Sequence, residues 1–277
     1  MRIAIQGEPG SFSHEAALRI APEATILPCN ISLEVFAAVD EGRADAAVIP
    51  IENSLAGSVA EHYDLLLTHD VAIESESLLR IRHNLIALPG VSLDAVERVY
   101  SHPVALAQCR SFFAQHPGIE AVPFYDTAGS VKRLTEKWDT RAAGIASTQA
   151  ARHYGGEVLV ADIEDDPENY TRFFLIRKRN LVRVDPRPDK VSLAFTVENR
   201  PGTLVAALEV FASQGTNLTR IESRPVHGQP WQYVFYADYQ LSSPETADAA
   251  LKLLAGHCSM VKELGRYHGA RRSGDRE

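Results

Sequence analysis

The sequence predicts an α/β protein with two strand-and-helix lobes followed by a smaller βαββαβ unit. Three observations carry this. Strands alternate with helices over roughly the first 175 residues, a proline-bearing charged stretch interrupts them, and a different element order follows.

In chain order the first lobe reads IAIQ then SHEAALRIA, ATILPC then LEVFAAVDEG, and ADAAVIPI then GSVAEHYDLLL, which predicts a parallel sheet flanked by helices. The apolar segment Val71–Leu88 supplies one or two strands. A second lobe of the same class follows, with ERVYS, VALAQCRSFFAQ, AVPFY, AGSVKRLTEKW and AAGIAS. After the polar EDDPENY, TRFFLIRKR reads as a closing strand, so the first region is set at 1–178. Residues 179–189, with two prolines and alternating charge, read as a linker. Over 190–267 the pattern is VSLAFTVEN, PGTLVAALEVFASQG, LTRIESRPV, WQYVFYADYQ, SPETADAALKLLAG and SMVKELGRY, the ferredoxin-like order. Pro201 is placed in the first turn of its helix and Gly215 just past its end, and the tail 268–277 reads as frayed.

At 277 residues, 45% hydrophobic and 23% charged, the chain has ordinary globular composition and no run long enough to span a membrane. The start MRIAIQGEPG runs straight into a strand and lacks a signal-peptide core, so a cytoplasmic protein is expected. Three isolated cysteines read as reduced thiols. A net charge of −8, without a long basic run, argues against nucleic acid. No Gly-Lys dipeptide occurs, so a phosphate loop is absent. Gly7 and Gly10 lack the third glycine of a dinucleotide fingerprint, and Leu18 stands where a second zinc-binding histidine would be. No metal and no cofactor is therefore expected. What remains is acid/base or electrostatic catalysis on a small acid, or simple binding.

Small polar residues collect at four strand-to-helix junctions: GEPGSFSH at 7–14, IENSLAGS at 51–58, SHP at 101–103 and DTAGS at 126–130. Helix N-termini at the carboxyl ends of strands present unpaired N–H groups to anions. Taken singly, Ser11, Ser13, Ser54 and Thr127 are better explained as helix caps, and only their occurrence at four junctions weighs the other way.

GEPGSFSHEAA, PIENSLAGSV, YSHPVALAQC, DTAGS, AAGIAS and NYTRFFLI, in this order, resemble the successive motifs of prephenate dehydratases. VENRPGTLVAALEVFASQGTNLTRIESRP resembles the ACT regulatory domain that follows them. The resemblance implies a two-lobed catalytic region similar to periplasmic binding proteins, and a cofactor-free loss of CO2 and water from prephenate to give phenylpyruvate. It also implies Thr171 as the catalytic hydroxyl, with His102 a possible proton source. Asn53, Ser54, Ser101, Thr127 and Ser130 become candidate contacts for the carboxylates and the hydroxyl. Strand alternation adds the expectation that Phe173 lines the substrate ring beside Thr171 while Arg172 faces away as an ion-pair residue. Gln108 and Glu52 rank lower. L-phenylalanine is expected as effector in a homodimer or homotetramer. Its contacts are carried to Asn199, Pro201, Gly202 and Leu204 and to Glu222, Ser223, Arg224 and Pro225. Thr203 departs from the usual Gly-Ala-Leu pattern there and puts feedback in doubt. Arogenate dehydratase, or an amino-acid sensor without turnover, are the alternatives.

Overall fold

The computed structural model describes residues 1–270 apart from His227 and Ser242. In the first lobe β1 (Arg2–Gln6), α1 (Phe12–Ile20), β2 (Thr25–Cys29), α2 (Ser32–Asp40) and β3 (Ala46–Asn53) follow the predicted alternation. They are followed by β4 (Gly57–Ser58), α3 (Ala60–Thr68) and β5 (Val71–Arg80). The second lobe holds β6 (Asn84–Ala87), β7 (Arg98–Ser101), α4 (Pro103–Ala107), α5 (Arg110–Gln115) and β8 (Glu120–Pro123). It continues through α6 (Thr127–Lys137), β9 (Ala142–Ala146), α7 (Thr148–Tyr154) and β10 (Glu157–Val160). The chain returns as β11 (Tyr170–Lys178) and continues into β12 (Lys190–Thr196), α8 (Thr203–Ser213), β13 (Leu218–Pro225), β14 (Tyr233–Gln240), α9 (Pro244–Ala255) and β15 (Met260–Tyr267).

Among the described residues the strands form three sheets, with orders β2-β1-β3-β11-β5, β10-β6-β9-β7-β8 and β13-β14-β12-β15; β4 pairs with β3. In the first, β1 runs parallel to β2 and β3, as a chain crossing back through helices must. The second is mixed where a parallel sheet was expected. There β7 runs parallel to β8 and β9, but β6 is antiparallel to both β9 and β10. Strand β6 enters from β5 of the first sheet through only a few residues, whereas β7, β8 and β9 follow one another through helices. Strand TRFFLIRKR, the expected closing strand of this region, inserts between β3 and β5. The VALAQCRSFFAQ segment is two short helices, broken at Gln108 and Cys109.

Alternate residues of the second sheet serve opposite faces. Leu85, Ala143 and Ile145 pack with Leu106 and Phe112, while Ile86 and Ala146 pack with Ala128, Val131 and Ala150. Burial of such side chains contributes about 25 cal/mol per Å² and fixes the register.

Two compact units emerge, one of Met1–His62 with Ser77–Phe173, the other of Tyr63–Glu76 with the chain from Phe174 onward. The second unit therefore includes residues that the sequence reading assigns to 1–178. Within it, Lys262 Nζ donates to the carbonyls of Leu66, Leu67 and His69 at 3.0, 2.7 and 3.1 Å. Its strands β12, β13, β14 and β15 pair antiparallel over a core of Val191, Leu193, Phe195, Phe211, Tyr239 and Leu254. Helix α8 ends as expected: Gly215 takes φ 63°, and the N–H groups of Gly215 and Thr216 reach back to Ala212 and Phe211. Its start differs. Gly202 caps the helix at φ 85°, so Pro201 lies outside the first turn. The tail is tied where described, because His268 Nδ1 and Gly269 N–H meet the Asp189 carboxylate at 2.9 and 2.6 Å. The rest of it, 271–277, lies outside the described residues.

Candidate active site

Strand β3 ends at Asn53, beside the start of β11, and there the two chain segments exchange side-chain and main-chain bonds. Ser54 N–H donates to the Tyr170 carbonyl at 2.8 Å, and Ser54 Oγ accepts from Tyr170 N–H at 3.0 Å while donating to the Glu168 carbonyl at 2.9 Å. Asn53 Oδ1 accepts the N–H groups of Leu55 and Ala56 at 3.0 and 2.8 Å, closing a turn at the end of β3. That fixes which way the amide faces. Its Nδ2 must then point the other way, toward Asn169 Oδ1 at 2.7 Å, the Tyr170 carbonyl at 3.1 Å and Thr171 Oγ1 at 2.9 Å. A hydroxyl that accepts from an amide keeps its own hydrogen to donate. Thr171, 8% exposed, is thus oriented as a donor.

The same chain of amides continues outward. Asn169 is fully buried, and its Nδ2 donates to Gln108 Oε1 at 3.0 Å; Gln108 Nε2 faces Asn53 Oδ1 at 3.4 Å. His83, 2% exposed, brings Nε2 within 2.9 Å of the same Gln108 oxygen. Gln108 is positioned by the break between α4 and α5. Asp165 accepts the first N–H groups of α5 from Arg110 and Ser111, both at 2.9 Å, and its own N–H donates to the Gln108 carbonyl at 2.7 Å. Asn169 and His83 were not among the residues expected from sequence, and Gln108 ranked below the others there. The residues are scattered along the chain, and the only signal was that Asn169 opens NYTRFF.

The remaining candidates do not gather at Thr171 in the same way. Ser101 and Ser130 are wholly buried; their hydroxyls donate to the carbonyls of Ile145 and Thr127, both at 2.6 Å. Thr127 opens α6, but the cap is its neighbour Asp126, whose Oδ1 accepts Gly129 N–H at 2.7 Å. His102 is exposed and caps α4 through Nδ1, which accepts Val104 N–H at 3.3 Å; the hydrogen bonds around Thr171 run to Gln108 and His83 instead. Phe173 is 1% exposed, a core residue as the chain stands. The Arg172 guanidinium lies 4.0 Å from Glu52, in keeping with an ion-pair role.

The GEPG loop, read only as a junction, joins the two lobes. Glu8 accepts from Lys132 Nζ at 3.1 Å, Tyr125 at 2.9 Å and Tyr154 at 3.4 Å, and Ser147 Oγ donates to the Gly10 carbonyl at 2.6 Å. Gly10 takes φ 89° with α7 so close that a Cβ would lie 2.7 Å from Ala150 Cα; no other residue fits. Among the described residues no group of three or more His, Cys, Asp or Glu side chains is placed to hold a metal ion. Among them, too, no helix is long and apolar enough to cross a membrane.

In the second unit Asn199, Pro201 and Gly202 form an exposed loop, with Leu204 half-buried behind it. Thr203 Oγ1 bonds the carbonyls of Glu198 and Arg200 at 2.6 and 2.8 Å, so the residue that departs from the usual pattern ties this loop together. Asn199 Nδ2 reaches the Trp231 carbonyl at 3.4 Å. On β13, Ser223 and Pro225 are exposed, Glu222 pairs with Arg220, and Arg224 pairs bidentately with Asp64 at 3.0 and 2.8 Å. Arg224 and Pro225 line a cavity of about 460 Å³ with Asp64, Val226 and Trp231.

Comparison with known proteins places this arrangement. The pattern described as prephenate dehydratase matches residues 3–181, and that of the ACT domain matches 191–252. Arogenate dehydratase/prephenate dehydratase 2 of Arabidopsis thaliana, a chloroplastic protein, is 39% identical over 96% of this chain and 72% of its own length. The crystal structure of a prephenate dehydratase from Arthrobacter aurescens in complex with L-Phe superposes with a TM-score of 0.89, at 33% identity over 97% of this chain and 90% of that one. GqqA, described as a novel type of quorum quenching acylase, superposes equally well at 0.89, with 34% identity over 97% and 98%. The chain belongs to the prephenate dehydratase family, with an ACT domain following the catalytic region.

Proposed function

We propose that this protein is a cytoplasmic lyase that converts prephenate to phenylpyruvate, and that L-phenylalanine regulates it through the ACT domain. One observation carries the catalytic half: Asn53 Nδ2 donates to Thr171 Oγ1, turning the threonine hydrogen outward. Prephenate loses its ring carboxylate as CO2 while its ring hydroxyl leaves as water, and the new aromatic ring drives the elimination. The departing oxygen gains negative charge and needs a directed donor, which a pre-oriented hydroxyl supplies without reorganisation. Ser54, with Thr127 and His102 at helix starts of the second lobe, is the candidate set for the anionic groups. Ser101 and Ser130 would support the walls of that site through their carbonyl bonds.

The regulatory half rests on the ACT match and on the cavity beside Arg224, of a size to admit an amino acid. Assembly as a homodimer or homotetramer is part of the same reading. Boundaries of 1–178 for the catalytic region, 179–189 for the linker and 190–267 for the regulatory domain remain the working division. An acylase reading, raised by the likeness to GqqA, meets a specific difficulty. The pair Ser32 Oγ and His62 Nε2, 3.1 Å apart, has the chemistry of a nucleophile and base, but the residues are 1% and 0% exposed.

The test is incubation of the purified chain with prephenate, with arogenate and with an N-acyl amino-acid amide, reading aromatic product by absorbance and released amine by derivatisation. Aromatic product from prephenate, lost in Thr171→Ala, is the expected result. Preference for arogenate by tenfold or more in kcat/KM would reassign the substrate, and amine release alone would overturn the lyase reading.

A further inference from the structure

The amide network beside Thr171 has a polarity, and the direction of each bond follows from its neighbours. Leu55 and Ala56 hold Asn53 Oδ1, so Asn53 Nδ2 faces Asn169 Oδ1. Asn169 must then present Nδ2 to Gln108, and Gln108 must present Oε1. An oxygen there can be matched only by a donor, so the His83 ring must carry its hydrogen on Nε2. Its Nδ1 is then a bare lone pair, and that atom is buried with no hydrogen-bond partner among the described residues. A buried polar atom left unmatched is costly, about 1–3 kcal/mol, and marks a site where another requirement wins. Phe12 packs edge-on against the ring at 5.6 Å, and the His83 N–H and carbonyl are clamped by Glu164 Oε2 and Ile163 N–H at 2.9 and 2.8 Å. The imidazole is therefore held in place from several sides.

We propose that His83 is a positioning residue for the dehydration: as the neutral Nε2–H tautomer it locks Gln108, and through Gln108 it holds Asn169, the residue that shares the Asn53 amide with the Thr171 hydroxyl. Without that donor, Gln108 is free to rotate its amide. Its Nε2 then faces the Asn169 NH2 group, donor against donor, and Asn169 Oδ1, which shares the Asn53 amide with Thr171, is no longer held in place. His83 lies beyond Gln108 from Thr171, so its removal leaves substrate contacts in place and acts on kcat more than on KM.

This inference rests on the lyase reading, and two measurements separate the fates of the two. The first uses the wild-type protein without substrate: nitrogen-15 NMR of the histidine rings, with the His83 signal assigned by its absence in His83→Gln. A neutral ring protonated on Nε2 at pH 7 is expected. Protonation on Nδ1, or a charged ring, would overturn the proposal whatever the enzyme does. The second is kinetics on prephenate. His83→Leu should lower kcat by 10- to 100-fold with KM within about twofold, and His83→Gln, whose amide nitrogen can stand in for Nε2, should recover most of it. His83→Leu retaining more than half of wild-type kcat, or His83→Gln no better than His83→Leu, would overturn it. A wild-type protein inert to prephenate yet showing the Nε2–H tautomer would remove the lyase reading while leaving the network's polarity standing.

Discussion

The side-chain amide of Asn53 lies 2.9 Å from the hydroxyl of Thr171, although 118 residues separate the two. If this contact aims the threonine hydrogen at the leaving group, loss of either partner should cost turnover more than folding. Thr171→Ala is expected to lower kcat by roughly two to four orders of magnitude, the scale of losing a transition-state donor. Thr171→Ser should retain much more. Asn53→Asp exchanges a donor for an acceptor at nearly constant volume, so the hydroxyl would turn inward. Its kcat should fall about as far as that of Thr171→Ala. Steady-state kinetics with a thermal melt of each variant decides this, and a Thr171→Ala enzyme with more than about a third of wild-type kcat would remove the residue from the mechanism.

Among the described residues the histidines His14, His62 and His83 are buried, and burial holds each ring below its ordinary value of 6.5; His153 beside His14 acts in the same direction. Unfolding returns each to that ordinary value. Below about pH 6.5 the unfolded chain then binds protons that the folded one does not, so stability is fully present above that pH and is lost as the pH falls. Each proton taken up contributes as much as about 1.4 kcal/mol per pH unit. The melting temperature should therefore drop between pH 7.5 and 5.5, with a shallower slope in His83→Gln. A flat profile over that window would show that these rings titrate normally in the folded protein.

Sequence pattern revealed the parts governed by local rules and missed those governed by pairing. The βαββαβ order and the Gly215 helix end follow from periodicity and glycine chemistry. They need no knowledge of distant residues. The antiparallel placement of β6 and the insertion of β11 between β3 and β5 are matters of strand pairing, which alternation cannot encode. The site divides along the same line. Thr171, Asn53 and Ser54 sit in contiguous motifs, but His83, Gln108 and Asn169 meet only because the lobe crossings bring residues 53, 83, 108 and 169 together. Serine in a junction motif was also ambiguous in kind. The Ser101 and Ser130 hydroxyls face their own chain's carbonyls, and sequence does not give a side chain's direction.

Glu8 links the two lobes through Lys132, Tyr125 and Tyr154. Burial pushes its carboxyl upward, but the bonds from Lys132 and Tyr125 outweigh this and hold it below the ordinary value of 4.5. Its contribution is thus complete above that value and lost as the pH falls through the lowered one. Glu8→Gln should lower the melting temperature by a few degrees at pH 7, and the gap from wild type should close as the pH approaches 3. Paired melts across that range provide the check, and a gap that is absent at neutral pH or unchanged in acid would show the contact to be idle, as exposed ion pairs often are.

The cavity beside β13 yields the last prediction. Arg224 already spends both arms on Asp64, and that bond, offset in part by burial, holds its guanidinium above the ordinary range, so it remains a cation at any working pH. An incoming amino acid can meet it only by sharing Asp64's partner through its carboxylate, while Asp64 turns to the ligand's ammonium. Arg224→Ala should therefore weaken L-phenylalanine binding by tenfold or more, and Asp64→Asn should weaken it too, whereas prephenate turnover without effector stays within about twofold. Gly202 behaves differently. A Cβ there meets nothing within 4 Å, but φ 85° strains any other residue, by about 1–3 kcal/mol. Gly202→Val should then lower the melting temperature and disturb the loop, and its loss of affinity alone would say little about contact with ligand. Trp231, 77% exposed at the rim of the cavity, offers the readout. Its fluorescence should change on titration with L-phenylalanine, and Trp231→Phe should abolish most of the signal, because the chain's other tryptophan, Trp138, lies in the other unit. Calorimetric titration of the full chain then fixes the affinities. Binding unaltered in both Arg224→Ala and Asp64→Asn would move the effector site away from this cavity, and no binding below millimolar concentration in the wild type would remove the regulatory assignment altogether.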